Sequence, residues 1–136
     1  MWATHSPSGR YEITIREHEA FNTHWVLTPG IKDKQTGEMV FDFENTQWSL
    51  DEGEWRGDSL LKLTLRKYPG NHQPADVIAL IDCEKRTGAV GNEGQGPLDD
   101  LEARLDRALT WIYAEPAKNE PRPGFLAALQ RFLRGY

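Results

Sequence analysis

The sequence predicts an α+β fold, an antiparallel sheet of about five to six strands over residues 10–90 packed with two C-terminal helices. Three observations carry this expectation. Apolar and polar residues alternate one by one in several stretches before residue 70, the period of a strand with one buried face. Residues 77–81 are apolar at every position, and beyond a glycine-rich break the apolar residues recur at steps of three and four, the period of a helix. The chain of 136 residues is long enough for one hydrophobic core and short for two, so 1–136 reads as a single domain with a flexible N-terminus, 1–9.

The elements follow in order. Tyr11, Ile13 and Ile15 alternate with Glu12, Thr14 and Arg16 in a first strand. Thr23 to Thr28, with Trp25, Val26 and Leu27, favours a second strand ending at a Pro29-Gly30 turn. Met39, Phe41 and Phe43 alternate with Val40, Asp42 and Glu44, which places the acids of the third strand away from the core. Leu61, Leu63 and Leu65 against Lys62, Thr64 and Arg66 form a fourth strand, closed by a type II turn at Tyr68-Pro69-Gly70-Asn71. Val77 to Ile81 suits a central strand buried on both faces. Pro97 opens a helix over 97–114, where Leu98, Leu101, Leu105, Leu109 and Ile112 make one apolar stripe and Asp99 and Asp100 suit the positive end. Prolines within 115–123 end it, and Phe125, Leu126, Leu129, Phe132 and Leu133 predict a second, shorter amphipathic helix.

Composition narrows the function. With 38% hydrophobic and 27% charged residues, the chain has the balance of a folded, water-facing domain. No export signal and no membrane-spanning run is visible, and the lone Cys83 offers no internal disulfide, so a cytoplasmic setting is expected. The net charge of −5 is concentrated: residues 38–58 hold seven acids (Glu38, Asp42, Glu44, Asp51, Glu52, Glu54, Asp58) and one base, Arg56, which is −6, while the remainder balances to +1. Without a basic stripe to displace counterions, nucleic-acid binding is disfavoured.

No catalytic, metal or cofactor signature stands out. His18 and His24 lie six residues apart, about 20 Å along one straight strand, and lack the third ligand a metal needs. Cys83 sits between Asp82 and Glu84, which oppose a thiolate. Ser49 and Ser59 lack a nucleophile elbow. Gly91, Gly94 and Gly96 precede a helix, but Glu93, Asp99 and Asp100 would repel a phosphate there.

The segment WSLDEGEW, 48–55, is the most distinctive. Trp48 and Trp55 bracket Asp51, Glu52 and Glu54, which suits a recognition surface: tryptophans supply desolvated contact area and clustered carboxylates attract a cationic partner. A simpler alternative puts both tryptophans in the core and the acids on a solvated loop. FENTQWSLDEGEW and SLLKLTLRKYPG (43–55 and 59–70) resemble uncharacterised small bacterial proteins of the toxin-immunity type. The resemblance implies a non-catalytic inhibitor of one cognate toxin, acidic where the toxin is a cationic nuclease, and assigns no individual residue.

The leading expectation is therefore a bacterial protein-binding module that meets a basic protein through Glu44, Trp48, Asp51, Glu52, Glu54, Trp55 and Asp58, without cofactor. The alternative is a small-ligand-binding or hydrolytic domain with a pocket between sheet and helices, Asp51 or Asp58 and a histidine at its mouth. A third reading is a subunit of a homo-oligomer joined through a sheet edge.

Overall fold

Consecutive strands of this chain turn back on one another, so every pairing is antiparallel. The computed structural model describes residues 3–20 and 24–112. A three-stranded sheet runs β1 (Tyr11–Glu19), β2 (Trp25–Asp33), β3 (Met39–Asp42). A five-stranded sheet runs in the order β4 (Trp48–Trp55), β5 (Leu60–Lys67), β7 (Val77–Asp82), β8 (Thr87–Val90), β9 (Gly96–Pro97). Between β5 and β7 the short β6 (His72–Gln73) leaves the large sheet to pair with β10 (Thr110–Trp111). The expected single sheet of five to six strands is thus divided, with five strands in its largest part. A 3-10 turn, Leu98–Asp100, leads into the one helix among the described residues, α1 (Leu101–Arg107). That helix is neither long nor apolar enough to cross a membrane.

The alternating leucines of β5 and the apolar residues of β7 point to one side, where Leu61, Leu63, Leu65, Val77, Ala79 and Ile81 are all buried. Tyr11, Ile13, Ile31, Phe41 and Phe43 from the smaller sheet and Leu98, Leu101, Leu105 and Leu109 from the helical segment join the same core. Burial of that many large apolar side chains, at about 1.5–3 kcal/mol each, is the dominant force holding the two sheets and the helix around one core. β7 is the central strand of the large sheet, as its apolar run predicts. Its other face, Ile78 and Leu80, is only half-buried, because α1 packs on the inner side with the rest of the core.

Several boundaries differ from expectation for identifiable reasons. β2 continues through Pro29-Gly30, with Pro29 opposite Ile15 and Gly30 between Thr14 and Asp42. Pro29 is tolerated because β3 pairs with β2 only from Gly30 onward, so no neighbour on that side needs its missing N–H. Gly30 serves close approach rather than a turn: a Cβ there would lie 2.8 Å from Thr14 Oγ1 and 2.9 Å from Met39 Cε. The chain instead reverses at 34–38, where Gly37 has φ +80° and donates to the Asp33 carbonyl. In place of the expected type II turn, Tyr68-Pro69 is a cis peptide bond, followed by Gly70 at φ +95° and a hydrogen bond from the His72 N–H to the Gly70 carbonyl.

The expected helix 97–114 is shorter than its stripe. Leu98, Leu101, Leu105 and Leu109 reach the core, but Thr110 and Trp111 pair with Gln73 and His72, and Ile112 is 48% exposed. A β-branched and an aromatic residue with an unpaired strand opposite favour the ladder over another helical turn. The second helix, expected around 125–133, lies outside the described residues. Residues 3–9, expected to be flexible, are hydrogen-bonded along β1 through Thr4 and Ser6, and Ser8 donates from its N–H and hydroxyl to Asp58, both at 2.7 Å.

Candidate functional site

WSLDEGEW forms the whole of β4, not a loop. Trp48 and Trp55 lie seven positions apart, and a regular strand would turn them to opposite faces. The ladder resolves this with a bulge: Leu50 pairs with Leu65 and Glu52 with Thr64, leaving Asp51 without a partner. The extra residue brings Trp48, Leu50, Gly53 and Trp55 onto the core side, opposite Lys67, Leu65, Leu63 and Leu61. Glu52 and Glu54 are turned outward and exposed.

Trp48 is fully buried and stacks on Phe43 with ring centres 5.4 Å apart. The Lys67 ammonium lies 5.4 Å from the centre of the Trp48 ring and 2.6 Å from Asp106 on α1, so this tryptophan helps tie the helix to the sheet. It is a core residue with no surface to offer a partner. Trp55 is half-buried against the same core. Together with Glu52, Gly53 and Glu54 it borders a shallow hollow of about 460 Å³ shared with Ala3, His5 and Pro7.

The acids of the segment are distributed over several places. Asp51 lies 3.4 Å from Arg66 and is hydrogen-bonded to Asp76, which approaches from just before β7. Burial pushes the Asp51 carboxyl up to about 6, the Asp76 contact adds to the rise, and the Arg66 guanidinium opposes it. Glu54 makes an exposed pair with Arg56 at 3.4 Å. Asp58 holds Ser8, and the Ser8 hydroxyl, followed by its N–H, keeps that carboxyl below the usual range. Glu44 stands apart, beside Asp42 at a cleft between β3 and α1.

That cleft contains what the sequence reading missed. Asp99, Glu102, Ala103 and Asp106 line it from the helical segment, opposite Asp42 and Glu44. Their spacing of three, four and seven residues is one face of a helix, a legible signal obscured by attention to the leucine stripe beside it. Glu102 accepts hydrogen bonds from the N–H groups of Glu44 and Asn45 at 2.8 and 3.0 Å and so fixes the end of β3 against the helix. Neither Asp51 nor Asp58 nor any histidine lines this cleft.

Other groups have structural settings. Cys83 is buried at the end of β7, and burial pushes its thiol up to about 12, far from a usable thiolate. His18 pairs across the hairpin with Val26, not with His24, and no set of three metal-ligating side chains converges among the described residues. The glycine-rich stretch is partly ordered: Gly91 donates to the Ile78 carbonyl, and Gly96 pairs with Gly88. Compared with known protein families, curated proteins and solved structures, the chain matches none. The fold and site define a mostly antiparallel α+β domain with a core-facing aromatic set and an outward acidic surface.

Proposed function

We propose that this protein is a non-catalytic binding module that captures a basic protein partner through its acidic surface, as an immunity protein masks a cationic toxin. The observation that carries this reading is the way β4 sorts its residues. The bulge at Asp51 sends the aromatics inward and leaves Glu52 and Glu54 exposed on an outer strand of the large sheet. Together with the −6 balance of residues 38–58, this gives the segment an excess of outward acids over the Lys62, Arg56 and Arg66 cations beside them, and such an excess speeds encounter with an oppositely charged surface. Among the described residues Glu52 makes no ion pair, so its charge is available to a partner.

The test is affinity purification of the tagged protein from its own host at low salt, beside a Glu52→Lys, Glu54→Lys control whose fold is checked by circular dichroism. A single basic protein retained by the native chain, bound roughly tenfold or more weakly by the control and released as salt rises, is the expected result. Equal retention by both forms would sink the reading.

A further inference from the structure

β3 is an outer strand: it pairs with β2 on one side and with no strand on the other among the described residues. Met39, Val40, Phe41 and Asp42 all line the cleft toward α1. The register with β2 slips between Ile31 and Lys32, which pair with Phe41 and Met39 and leave Val40 as an extra residue; Val40 and Phe41 are both buried and give the cleft an apolar floor beside the unpaired side of β3. The cleft encloses about 520 Å³. A strand residue occupies about 160 Å³, taking its rise, the strand spacing and the sheet spacing together, so there is room for about three residues of extended chain.

The chemistry of the lining selects the occupant. Val40, Phe41 and Leu98 are more than nine-tenths buried and give an apolar base. Five carboxylates surround it, from Asp42, Glu44, Asp99, Glu102 and Asp106, with no basic residue in the lining. Arg16 offsets Asp42 at 2.9 Å and Lys67 offsets Asp106 at 2.6 Å, which leaves the charges of Glu44, Asp99 and Glu102 uncompensated. A second copy of this chain would bring the same three charges to the same edge, so self-pairing there is opposed.

We infer that the free edge of β3 takes up an extended, lysine- or arginine-bearing segment of a partner protein as an added strand beneath α1. Main-chain hydrogen bonds to β3 supply affinity, alternate apolar side chains rest on Val40, Phe41 and Leu98, and the intervening cations meet Glu44 and Asp99. This rests on the reading of the protein as a binder of basic partners, and names the form the partner takes.

The probe is a synthetic eight-residue peptide of alternating lysine and valine, titrated into the isotope-labelled full chain at low salt and followed by amide NMR. The expected result is shifts concentrated at Met39–Asp42 and along α1, with new protection of β3 amides from hydrogen exchange. A peptide with proline in place of every valine keeps its charge but cannot pair, and is expected to bind at least tenfold more weakly. Glu44→Lys with Asp99→Lys, both at exposed positions, is expected to weaken the lysine-valine peptide by a similar factor. Equal affinity for the two peptides, shifts confined to Glu52–Trp55, or no shift at β3 would each overturn the inference. A basic host protein captured through Glu52 and Glu54 while β3 stays silent would sink this inference alone and leave the binding reading standing.

Discussion

Replacing Asp51 with asparagine is expected to stabilise the protein at neutral pH and to leave it nearly unchanged at acid pH. The carboxyl is pushed up to about 6 in the folded chain from its ordinary 3.8, first by burial and then by Asp76. Between those two values the folded state binds more protons than the unfolded state. Stability contributed by this group therefore falls as pH rises through the window, and the whole penalty is present above it. A shift of about two pH units corresponds to about 3 kcal/mol before screening, and partial solvent exposure of the group reduces that to about 1 kcal/mol. Asparagine loses the Arg66 contact at 3.4 Å, an exposed pair contributing about 0.5 kcal/mol or less, and its amide can still donate to Asp76. The net gain at pH 7.5 is about 0.5–1 kcal/mol, a rise of roughly 0.5 M in the urea midpoint. Paired urea titrations of the native and Asp51→Asn proteins at pH 4.5 and 7.5 measure it. A gain of equal size at both pH values, or a loss at pH 7.5, would refute the assignment of a disfavoured charge at Asp51.

Two further pairs of substitutions test the packing. Trp48→Ala removes a fully buried side chain and is expected to cost about 3–5 kcal/mol, whereas Trp25→Ala, at a residue 62% exposed, should cost under about 0.5 kcal/mol; comparable urea midpoints for the two would contradict the placement of β4. Gly30→Ala forces a methyl against Thr14 and Met39 and is expected to lose about 1–3 kcal/mol, while Gly94→Ala meets nothing within 4 Å and should be neutral within about 0.5 kcal/mol by the same titration.

The parts of the fold legible in the sequence were those where one period held without interruption. The leucines of β5 and the apolar run of β7 show it plainly, because every inward residue there is buried in the order the alternation dictates. β4 was illegible for two separate reasons. Asp51, Glu52 and Glu54 are weak strand formers, and the bulge breaks period two in the middle of the element. Pro29-Gly30 carried the local signal of a turn, yet tertiary crowding by Thr14 and Met39 accounts for the glycine and the short reach of β3 accounts for the proline. The site suffered from the same locality. Asp76, which meets Asp51 across β5, and the acids of α1, which face Glu44, are brought close only by the folded topology.

The acidic character of β4 has two physical consequences that act in the same direction. An outer strand invites pairing with another copy; the start of β4 is covered by β2, whose Leu27 N–H donates to the Ser49 hydroxyl at 3.0 Å, and the outward carboxylates of Glu52 and Glu54 oppose pairing by repulsion over the rest. The same repulsion is attraction for a cationic surface, so a single set of charges disfavours self-association and favours a basic partner. β3 repeats the arrangement on the other sheet, with Glu44, Asp99 and Glu102 around an edge that no strand among the described residues pairs with. Each sheet thus has an outer strand with at least one acid that makes no ion pair among the described residues, Glu52 on β4 and Glu44, Asp99 and Glu102 beside β3, while Asp42, Asp51, Glu54 and Asp106 are paired with Arg16, Arg66, Arg56 and Lys67. Both outer strands lie within 38–58, the acidic stretch of the sequence, so the proposed attraction of a basic partner and the resistance to self-pairing draw on the same segment.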